Sequence, residues 1–272
     1  MTFQILCVTM NQSGFEKIEE MNIHSDVIFS NQANENSYRE CVYDSVHIAR
    51  MITTTTRGVG INRNIGLCYA DADIVLFSDD DLVYFDGLES AVISEFKANG
   101  NADIIIFHLE SNDKRRQLKK YKKTRKAYRF ERHPWGAVRI AAKLSSIKKA
   151  NLWFSSLFGG GSKYLSGEDS MWIDEAYRAG LAVHVSDITI GKVDMGTSTW
   201  FSGYNEQYFY SKGALFKANN PKAYLLWILY FAIRTTGLTE LSIFKRIMWM
   251  NYGIEGYRKY LSFDEFMSIH RK

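Results

Sequence analysis

The stretch ADIVLFSDDDLVYFDG, Ala72–Gly87, joins a run of apolar residues to three consecutive aspartates. The apolar run is typical of a strand that is buried on both faces of a parallel sheet. Asp79, Asp80 and Asp81 follow at its end, where adjacent carboxylates repel one another and need a counter-charge. Turn formation and helix capping account for one or two of these acids, hardly for three. We therefore interpret the cluster as a site for a divalent metal that carries a nucleotide diphosphate.

The segments around this stretch alternate between strand-like and helical patterns. Such alternation predicts an α/β fold with an open, doubly wound sheet in the first half of the chain. The strands are predicted over Gln4–Met10, Ser25–Gln32, Arg50–Thr56 and Ala102–Glu110. The helices are predicted around Phe15–Met21, after Gly60 and over Asp86–Gly100. The helix after Gly60 has Ile61, Ile65 and Cys68 on one side. Ligands of such sheets bind beyond the carboxyl ends of the strands, which is where the aspartates fall.

Length and composition exclude several classes of protein. The 272 residues are 46% hydrophobic, which is enough for a large core. The three cysteines are widely spaced, so a disulfide framework is not expected. We therefore expect a cytoplasmic location. The start of the chain lacks the features of a leader peptide, and its longest apolar run, Ala223–Ile233, is too short to span a bilayer. We expect lobes over residues 1–110 and 111–204, and an aromatic-rich helical region over residues 205–272.

Asp79 and Asp81 form a D-x-D pair. Mg²⁺ and Mn²⁺ prefer a few carboxylate oxygens together with phosphate oxygens and water, so this pair suits either cation. A Walker B element also ends an apolar strand in acids, but it needs a phosphate loop of the form G-x-x-x-x-G-K-S/T. The glycine run that starts at Gly159 lacks this pattern, so the alternative fails.

Two motifs, in this order, resemble those of glycosyltransferase family 2. GVGINRNIGLCYADADIVLFSDDD, residues 58–81, is similar to the family's segment that leads into the metal-binding strand. GGGSKYLSGEDSMWIDEAYRAG, residues 159–180, is similar to the later Glu-Asp element and its helix. The resemblance covers roughly residues 3–200. It implies a GT-A fold with a mostly parallel sheet, a nucleotide-sugar donor, a divalent metal, and inversion at the anomeric carbon.

The resemblance assigns donor and metal contacts residue by residue. It makes Asp79 and Asp81 the D-x-D pair, with Asp81 as the more direct metal ligand, and it implies that Asp80 contacts the ribose or sugar. The remaining implied donor contacts are Thr9 near the base and Arg63 near the nucleotide, and Asn31 or Gln32 could hydrogen-bond the base. This chain has Asn31 and Gln32 where family members often carry an aspartate that binds uracil, which leaves the base open. It also lacks a histidine after the Glu-Asp helix, where Asp194 is an alternative metal ligand.

The resemblance further implies that Asp169 is the general base, beside Glu168. An acceptor hydroxyl must lose its proton as it attacks the sugar, so the chemistry requires one such acid. Ser166 and Asp169 also match a capping box, so Asp169 could instead bind amides at the start of a helix. The two roles are compatible, because the helix dipole favours an ionised acid there.

Three tryptophans are candidates for an acceptor platform: Trp135, Trp153 and Trp172. Aromatic rings offer a flat apolar face, although buried packing is their more usual role. We expect Trp135 and Trp172 to contact the acceptor.

A basic segment, residues 114–132, contains eleven Lys or Arg residues and one acid, Glu131. A charge run of this kind is usually a solvated surface. Tyr121, Tyr128 and Phe130 could stack on nucleic acid bases, but no nucleic-acid motif accompanies them, and nucleic acid is not an expected partner. Attraction to an anionic membrane surface fits the charge better, and together with the aromatic helices after Pro221 it suggests that residues 205–272 associate with a membrane.

The sequence thus favours a metal-dependent inverting glycosyltransferase. It would move a sugar from a nucleotide sugar, first of all a UDP-sugar, to a saccharide in surface polysaccharide or glycan assembly. A polyprenyl-diphosphate-linked acceptor and a peripheral position on the inner face of the cell membrane are the accompanying expectations. The alternatives are a sugar nucleotidyltransferase, whose glycine-rich loop after the first strand is missing here, and a non-catalytic membrane- or polyanion-binding module, which leaves the aspartates unexplained.

Overall fold

A computed structural model describes residues 1–112, 120–129, 131, 136–193 and 203–270. It confirms the α/β class, with a mixed, mostly parallel sheet and an aromatic-rich helical C-terminal part. The chain forms two compact units. The first contains the described residues of Met1–Phe154 and Asp169–Ser198, and the second those of Ser155–Glu168 and Thr199–Lys272. Residue 110, a predicted lobe boundary, lies inside a strand of the first unit.

The first unit is built on a sheet that has ten strands in the described residues. The strands are β1 (Phe3–Met10), β2 (Asp26–Gln32), β3 (Ser37–Tyr43), β4 (His47–Thr54), β5 (Ile74–Asp79), β6 (Leu82–Tyr84), β7 (Ile104–Ser111), β8 (Arg125–Lys126), β9 (Ile140–Lys143) and β10 (Val183–Val193). Their order is β3-β4-β2-β1-β5-β9-β7-β10-β6, with β8 paired to β10. Strands β4, β2, β1 and β5 are mutually parallel neighbours, so their carboxyl ends meet at one edge.

The helices of the first unit pack on both faces of the sheet, which accounts for its two hydrophobic clusters. They are α1 (Lys17–Glu20), α2 (Val59–Tyr69), α3 (Leu88–Ala98), α4 (Leu144–Ala150) and α5 (Glu168–Arg178), of which α5 enters this unit at Asp169. A short 3₁₀ helix, Ala137–Arg139, precedes β9.

Helix α2 buries a different side from the one that its apolar residues predict. Ile61 and Ile65 are half-buried and Cys68 is exposed, whereas Asn62, Arg63, Gly66 and Leu67 are buried. Gly66 lets the helix approach the sheet, because a Cβ there would lie 3.1 Å from Ser30 Oγ and 3.5 Å from Leu6 Cβ. The predicted helix is present, but its buried side carries polar groups, and the side through Ile61, Ile65 and Cys68 is the less buried one.

Four antiparallel strands, β3, β6, β8 and β9, and the long β10 were not predicted. β9 has the short sequence IAAK and lies between β5 and β7, antiparallel to both. β10 has an irregular register against β7 between Val185 and Gly191, within the polar sequence VHVSDITIGKV. The burial of β9 and β10 comes from neighbouring strands that are distant in sequence, so local patterns do not predict these two strands.

The second unit is helical in its described residues. Its helices are α6 (Glu206–Asn219), α7 (Tyr224–Arg234), α8 (Ile243–Lys259) and α9 (Phe263–His270). α6 and α8 pack closely through glycines, because a Cβ on Gly213 would lie 1.9 Å from Met250 O, and one on Gly253 would lie 1.9 Å from Tyr210 O. Among the described residues, no helix combines the length and the apolar character that crossing a membrane requires.

Candidate active site

The carboxyl ends of β1, β2 and β5 bring Thr9, Asn31 and Asp79 to one edge of the sheet. Thr9 lies opposite Asn31 in the β1–β2 register, and Val8 lies opposite Asp79 in the β1–β5 register. Parallel strands place such residues together regardless of their separation in sequence. The site predicted beyond these strand ends is therefore a real cluster of side chains in the first unit.

Arg63 is the centre of this cluster. Its side chain is 3% exposed and extends from the buried side of α2. Nη2 donates to Asp79 Oδ1 at 3.0 Å, and Nη1 donates to Asp169 Oδ1 at 3.0 Å. The guanidinium carbon also lies 5.3 Å from the centroid of the Phe154 ring, within cation–π range. One buried cation thus joins the D-x-D motif to the Glu-Asp element.

Asp169 has a second donor that fixes its orientation. The backbone N–H of Ala137 donates to its Oδ2 at 3.1 Å. α5 begins at Glu168, and Ser166 Oγ accepts from Lys212 Nζ at 3.2 Å within the second unit. Arg63 and Ala137 both lie outside α5, so capping cannot be the only role of Asp169. A carboxylate in the first turn that accepts from a guanidinium and an amide is held in a fixed orientation.

Asp80 is held by the first strand. Thr9 Oγ1 donates to Asp80 Oδ2. Cys7 lies two residues before Thr9 in the same strand, β1. Burial raises the pKa of its thiol well above the ordinary value, and the charges of Asp80 and Asp79 raise it further. The thiol therefore lies in a region of negative potential, which the aspartates create at the end of β5.

Asn31 is fully buried and bonded within the protein. Its Oδ1 accepts from Gln12 N–H at 3.0 Å, and its Nδ2 donates to Gln12 O at 3.0 Å and to Thr53 Oγ1 at 3.1 Å. Gln32 Nε2 donates to Gly58 O at 3.1 Å. Direct hydrogen bonding of Asn31 to a base does not fit this arrangement, because these contacts already hold both ends of its amide. Its structural role is to fix the loop after β1.

The tryptophans differ in exposure. Trp172 is 0% exposed and stacks on Phe154 with ring centroids 5.2 Å apart, so it is core and the expectation of an acceptor platform there was wrong. Trp153 is exposed, and its Nε1 donates to Asn151 Oδ1 at 2.8 Å. Trp135 and Asp194 lie outside the described residues.

Glu168 belongs to the second unit and is buried there. Its Oε2 accepts from Gly167 N–H at 3.1 Å. Burial lowers the pKa of Lys212 to about 8, while the negative charge of Glu168 acts in the opposite direction. Glu168 thus acts as a counter-charge to the buried Lys212 within the second unit. A catalytic role for Glu168 stays a prediction.

Asp79 and Asp81 supply only some of the ligands that a divalent cation requires. No group of three or more His, Cys, Asp or Glu side chains suited to a metal occurs in the part of the chain that the structure describes. Asp79 and Asp81 supply hard oxygen donors in the negative region around Cys7, which suits Mn²⁺ or Mg²⁺. A two-carboxylate pair needs further oxygens from phosphate or water, so these residues fit a metal that arrives with a diphosphate.

Three residues that position Arg63 or its helix were missed from the sequence: Asn62, Asn64 and Phe154. Asn62 Nδ2 donates to Ser30 O at 2.6 Å, which ties α2 to the sheet. Asn64 exchanges two hydrogen bonds of 2.8 Å with the backbone of Phe154, and Phe154 carries the ring beneath Arg63. The sequence signal was the polar pair that flanks Arg63 in NRN, at positions where an amphipathic helix would otherwise carry apolar residues.

The described part of the basic segment is partly paired within the protein. Arg125 Nη1 lies 2.6 Å from Glu131 Oε1, and Arg129 Nε lies 2.7 Å from Asp174 Oδ1. Tyr121 is buried and Tyr128 is exposed. Residues 113–119, 130 and 132–135 lie outside the described residues, so binding of this segment to a membrane stays a prediction.

One family model matches a part of the chain. Residues 26–150 match the model described as glycosyl transferase family 2. The matched range includes Arg63 and the three aspartates but ends before Asp169.

Solved structures show the same fold. A crystal structure of S. aureus TarS 1–349 in complex with UDP-GlcNAc has a TM-score of 0.59 and 14% identity, over 97% of this chain and 93% of that one. The complex of TarS 1–349 with UDP has a TM-score of 0.57 and 13% sequence identity, over 97% of this chain and 93% of that one. A structure of S. aureus TarS has a TM-score of 0.54 and 14% sequence identity, over 100% of this chain and 46% of that one. No curated protein matches in sequence.

Proposed function

We propose that this protein is a family 2 glycosyltransferase, which transfers a sugar from a nucleotide-sugar donor to a saccharide acceptor with inversion at the anomeric carbon. The observation that carries the proposal is the link from Asp79 through Arg63 to Asp169, two bonds of 3.0 Å. It joins a donor-side carboxylate to a second carboxylate of fixed orientation. A UDP-sugar is the first donor to test, because the similar TarS structures contain UDP-GlcNAc and UDP.

In the proposed reaction, Asp169 is the general base. Arg63 and the Ala137 amide hold its carboxylate, which accepts the proton of an acceptor hydroxyl as that oxygen attacks the anomeric carbon. The bond from this carbon to the diphosphate oxygen breaks, and its electron pair leaves with the nucleoside diphosphate. Attack from the side opposite the leaving group inverts the configuration.

Asp79 and Asp81 are the proposed holders of Mn²⁺ or Mg²⁺, with Asp80 positioned by Thr9 for the ribose or sugar. When bound, such an ion supplies Lewis-acid stabilisation of the diphosphate. Arg63 already places one positive charge on Asp79, which limits repulsion within the acid cluster before a donor arrives.

The acceptor side is proposed from chemistry alone. A saccharide in surface polysaccharide or glycan assembly would stack on an exposed aromatic ring, and Trp153 is the exposed candidate of the first unit among the three tryptophans. A polyprenyl-diphosphate-linked form of this acceptor would require the protein to work at the inner face of the cell membrane.

The test is a panel of nucleotide sugars, with Mn²⁺ or Mg²⁺ and without metal. The proposal predicts release of a nucleoside diphosphate from one donor, with a metal requirement, and loss of transfer in Asp169→Asn. Asp174→Asn is the matched control, since Asp174 lies on the same helix and pairs with Arg129 and Arg178. Formation of pyrophosphate from a nucleoside triphosphate and a sugar phosphate would instead identify a nucleotidyltransferase. No turnover of any donor would contradict the proposal.

A further inference from the structure

Helix α7 of the second unit presents an apolar surface to solvent. Its sequence is YLLWILYFAIR, yet only Ile228 and Ala232 are buried. Seven large apolar residues in and beside α7 are exposed, with Leu226 72% exposed and Phe244 at the start of α8 81% exposed. The others are Leu225, Trp227, Leu229, Tyr230 and Ile233. We call these seven residues the α7 surface.

The spacing of five of these residues makes the surface continuous along α7. Leu225, Leu229 and Ile233 follow one another at intervals of four, and Leu226 and Tyr230 form a second row beside them. Residues four apart lie on the same side of a helix, one turn above another. The two rows together give a wide apolar stripe, on a different side of the helix from Ile228 and Ala232, which pack into the unit.

Internal packing already fixes the helix without this surface. Arg246 Nη1 donates to Ala232 O, which ties the end of α7 to α8. Ile228 and Ala232 join a cluster with Phe209, Trp249 and Met250. Soluble monomers rarely expose large contiguous apolar patches, and such patches mark sites of interaction.

The charges around the surface are positive. Lys222 precedes α7, Arg234 ends it, Lys245 lies beside Phe244, and all three are exposed. α7 contains no acidic residue, and the nearest acid along the chain is Glu240 in the loop after it. Trp227 and Tyr230 pack edge to face with centroids 6.0 Å apart. Tryptophan and tyrosine are enriched where apolar chains meet polar headgroups, and lysine and arginine extend toward anionic headgroups.

We propose that the α7 surface docks the protein onto an anionic lipid bilayer. Eleven residues cannot span a bilayer, but an amphipathic helix of this kind lies in the interface with its apolar side among the acyl chains. The inference deepens the membrane location proposed above and rests on it, and it places the contact in the second unit instead of in the basic segment.

A second copy of the chain is the competing occupant. Pairing two α7 surfaces would bring the basic residues Lys222, Arg234 and Lys245 of each copy close to those of the other, and like charges oppose such pairing. An anionic headgroup layer complements the same charges. The charge pattern therefore favours lipid.

The experiment uses vesicles of phosphatidylcholine alone or with about a third phosphatidylglycerol, at low and high salt. The apolar variant is Leu226→Gln, Leu229→Gln and Ile233→Gln together. Its matched control replaces three equally exposed apolar residues elsewhere, Val42→Gln, Val46→Gln and Ile269→Gln. A third variant, Lys222→Gln with Arg234→Gln and Lys245→Gln, tests the charge. Binding is measured by co-sedimentation, and oligomeric state by light scattering.

We expect the wild type and the control to bind anionic vesicles, with weaker binding at high salt. The apolar variant should lose at least tenfold in partitioning, and the charge variant should lose its preference for phosphatidylglycerol. Equal vesicle binding by the apolar variant, or no binding by the wild type, would overturn the inference. A dimer that the apolar variant converts to monomer would overturn it in favour of a second copy. UDP binding is measured in parallel, because its residues lie in the first unit and failure there concerns the proposed function instead.

Discussion

Replacing Arg63 by methionine tests how the site is held together. The change removes two charge-assisted hydrogen bonds of 3.0 Å, to Asp79 and to Asp169, while the thioether still covers part of the Phe154 ring. Removing one partner of a fully buried ion pair costs about 3–5 kcal/mol. Here the carboxylates are 34% and 24% exposed, so water can solvate them after the change. We therefore expect a smaller cost, about 1–3 kcal/mol of unfolding free energy.

The matched control for this variant is Arg50→Met. Arg50 also bridges two acids, Glu40 and Asp71, at 3.1 and 2.8 Å, but on the surface. Surface pairs are worth about 0–1 kcal/mol. Urea denaturation should therefore separate the two variants, and a thermal melt should show roughly 2–4 °C per kcal/mol for a chain of this size.

Activity gives the second measurement on Arg63. Arg63→Met should lower sugar transfer by about two orders of magnitude or more, because both the donor side and the base lose their common support. Arg63→Lys should restore little, since an ammonium cannot donate in a fork to two carboxylates. A stability loss no larger than that of Arg50→Met, together with nearly unchanged transfer, would refute the role given to Arg63.

Three further predictions concern single side chains. Asp169→Asn should lower transfer by about 10²–10⁴-fold while UDP affinity is kept, and steady-state assays that show a tenth or more of the normal rate would contradict a base role. Trp172→Ala should cost about 3–5 kcal/mol in urea denaturation, whereas Trp153→Ala should leave stability unchanged and raise the KM for acceptor. Burial lowers the pKa of Lys212 from 10.5 to about 8, so the unfolded chain binds more protons between these values and unfolding free energy rises with pH there. Lys212→Gln should flatten this rise between pH 8 and 9.5, and an unchanged slope would show that Lys212 is not its source.

The parts of the fold that could be predicted are those encoded locally. β1, β2, β5 and β7 each contain an uninterrupted run of three or four apolar residues, and each strand is buried along most of its length. β9 and β10 could not be predicted in this way, because their hydrogen-bonding partners lie far away in sequence. The D-x-D pair was identified because charge at the end of an apolar strand has few structural explanations.

The contacts of the site were less predictable than its members. Arg63 and Asp169 are 106 residues apart, and nothing in either motif indicates that they bond. Asn31 was expected at the base, but its amide is bonded within the protein. Trp172 was expected at the acceptor, but Phe77 and Phe154 enclose it. For each of these residues, packing by distant elements decides the role.

The central claim is that the aspartates at the end of β5 bind the donor diphosphate through a divalent ion. Calorimetric titration of UDP, with and without Mn²⁺, tests it most directly in the wild type, in Asp81→Ala and in the control Asp86→Ala. Asp86 is an exposed acid five residues further on, where it accepts from Asn22 Nδ2 at 2.9 Å. We predict that Mn²⁺ strengthens UDP binding at least tenfold in the wild type and in the control, and that Asp81→Ala loses this gain. UDP binding of equal strength with and without Mn²⁺ in all three proteins would contradict the claim.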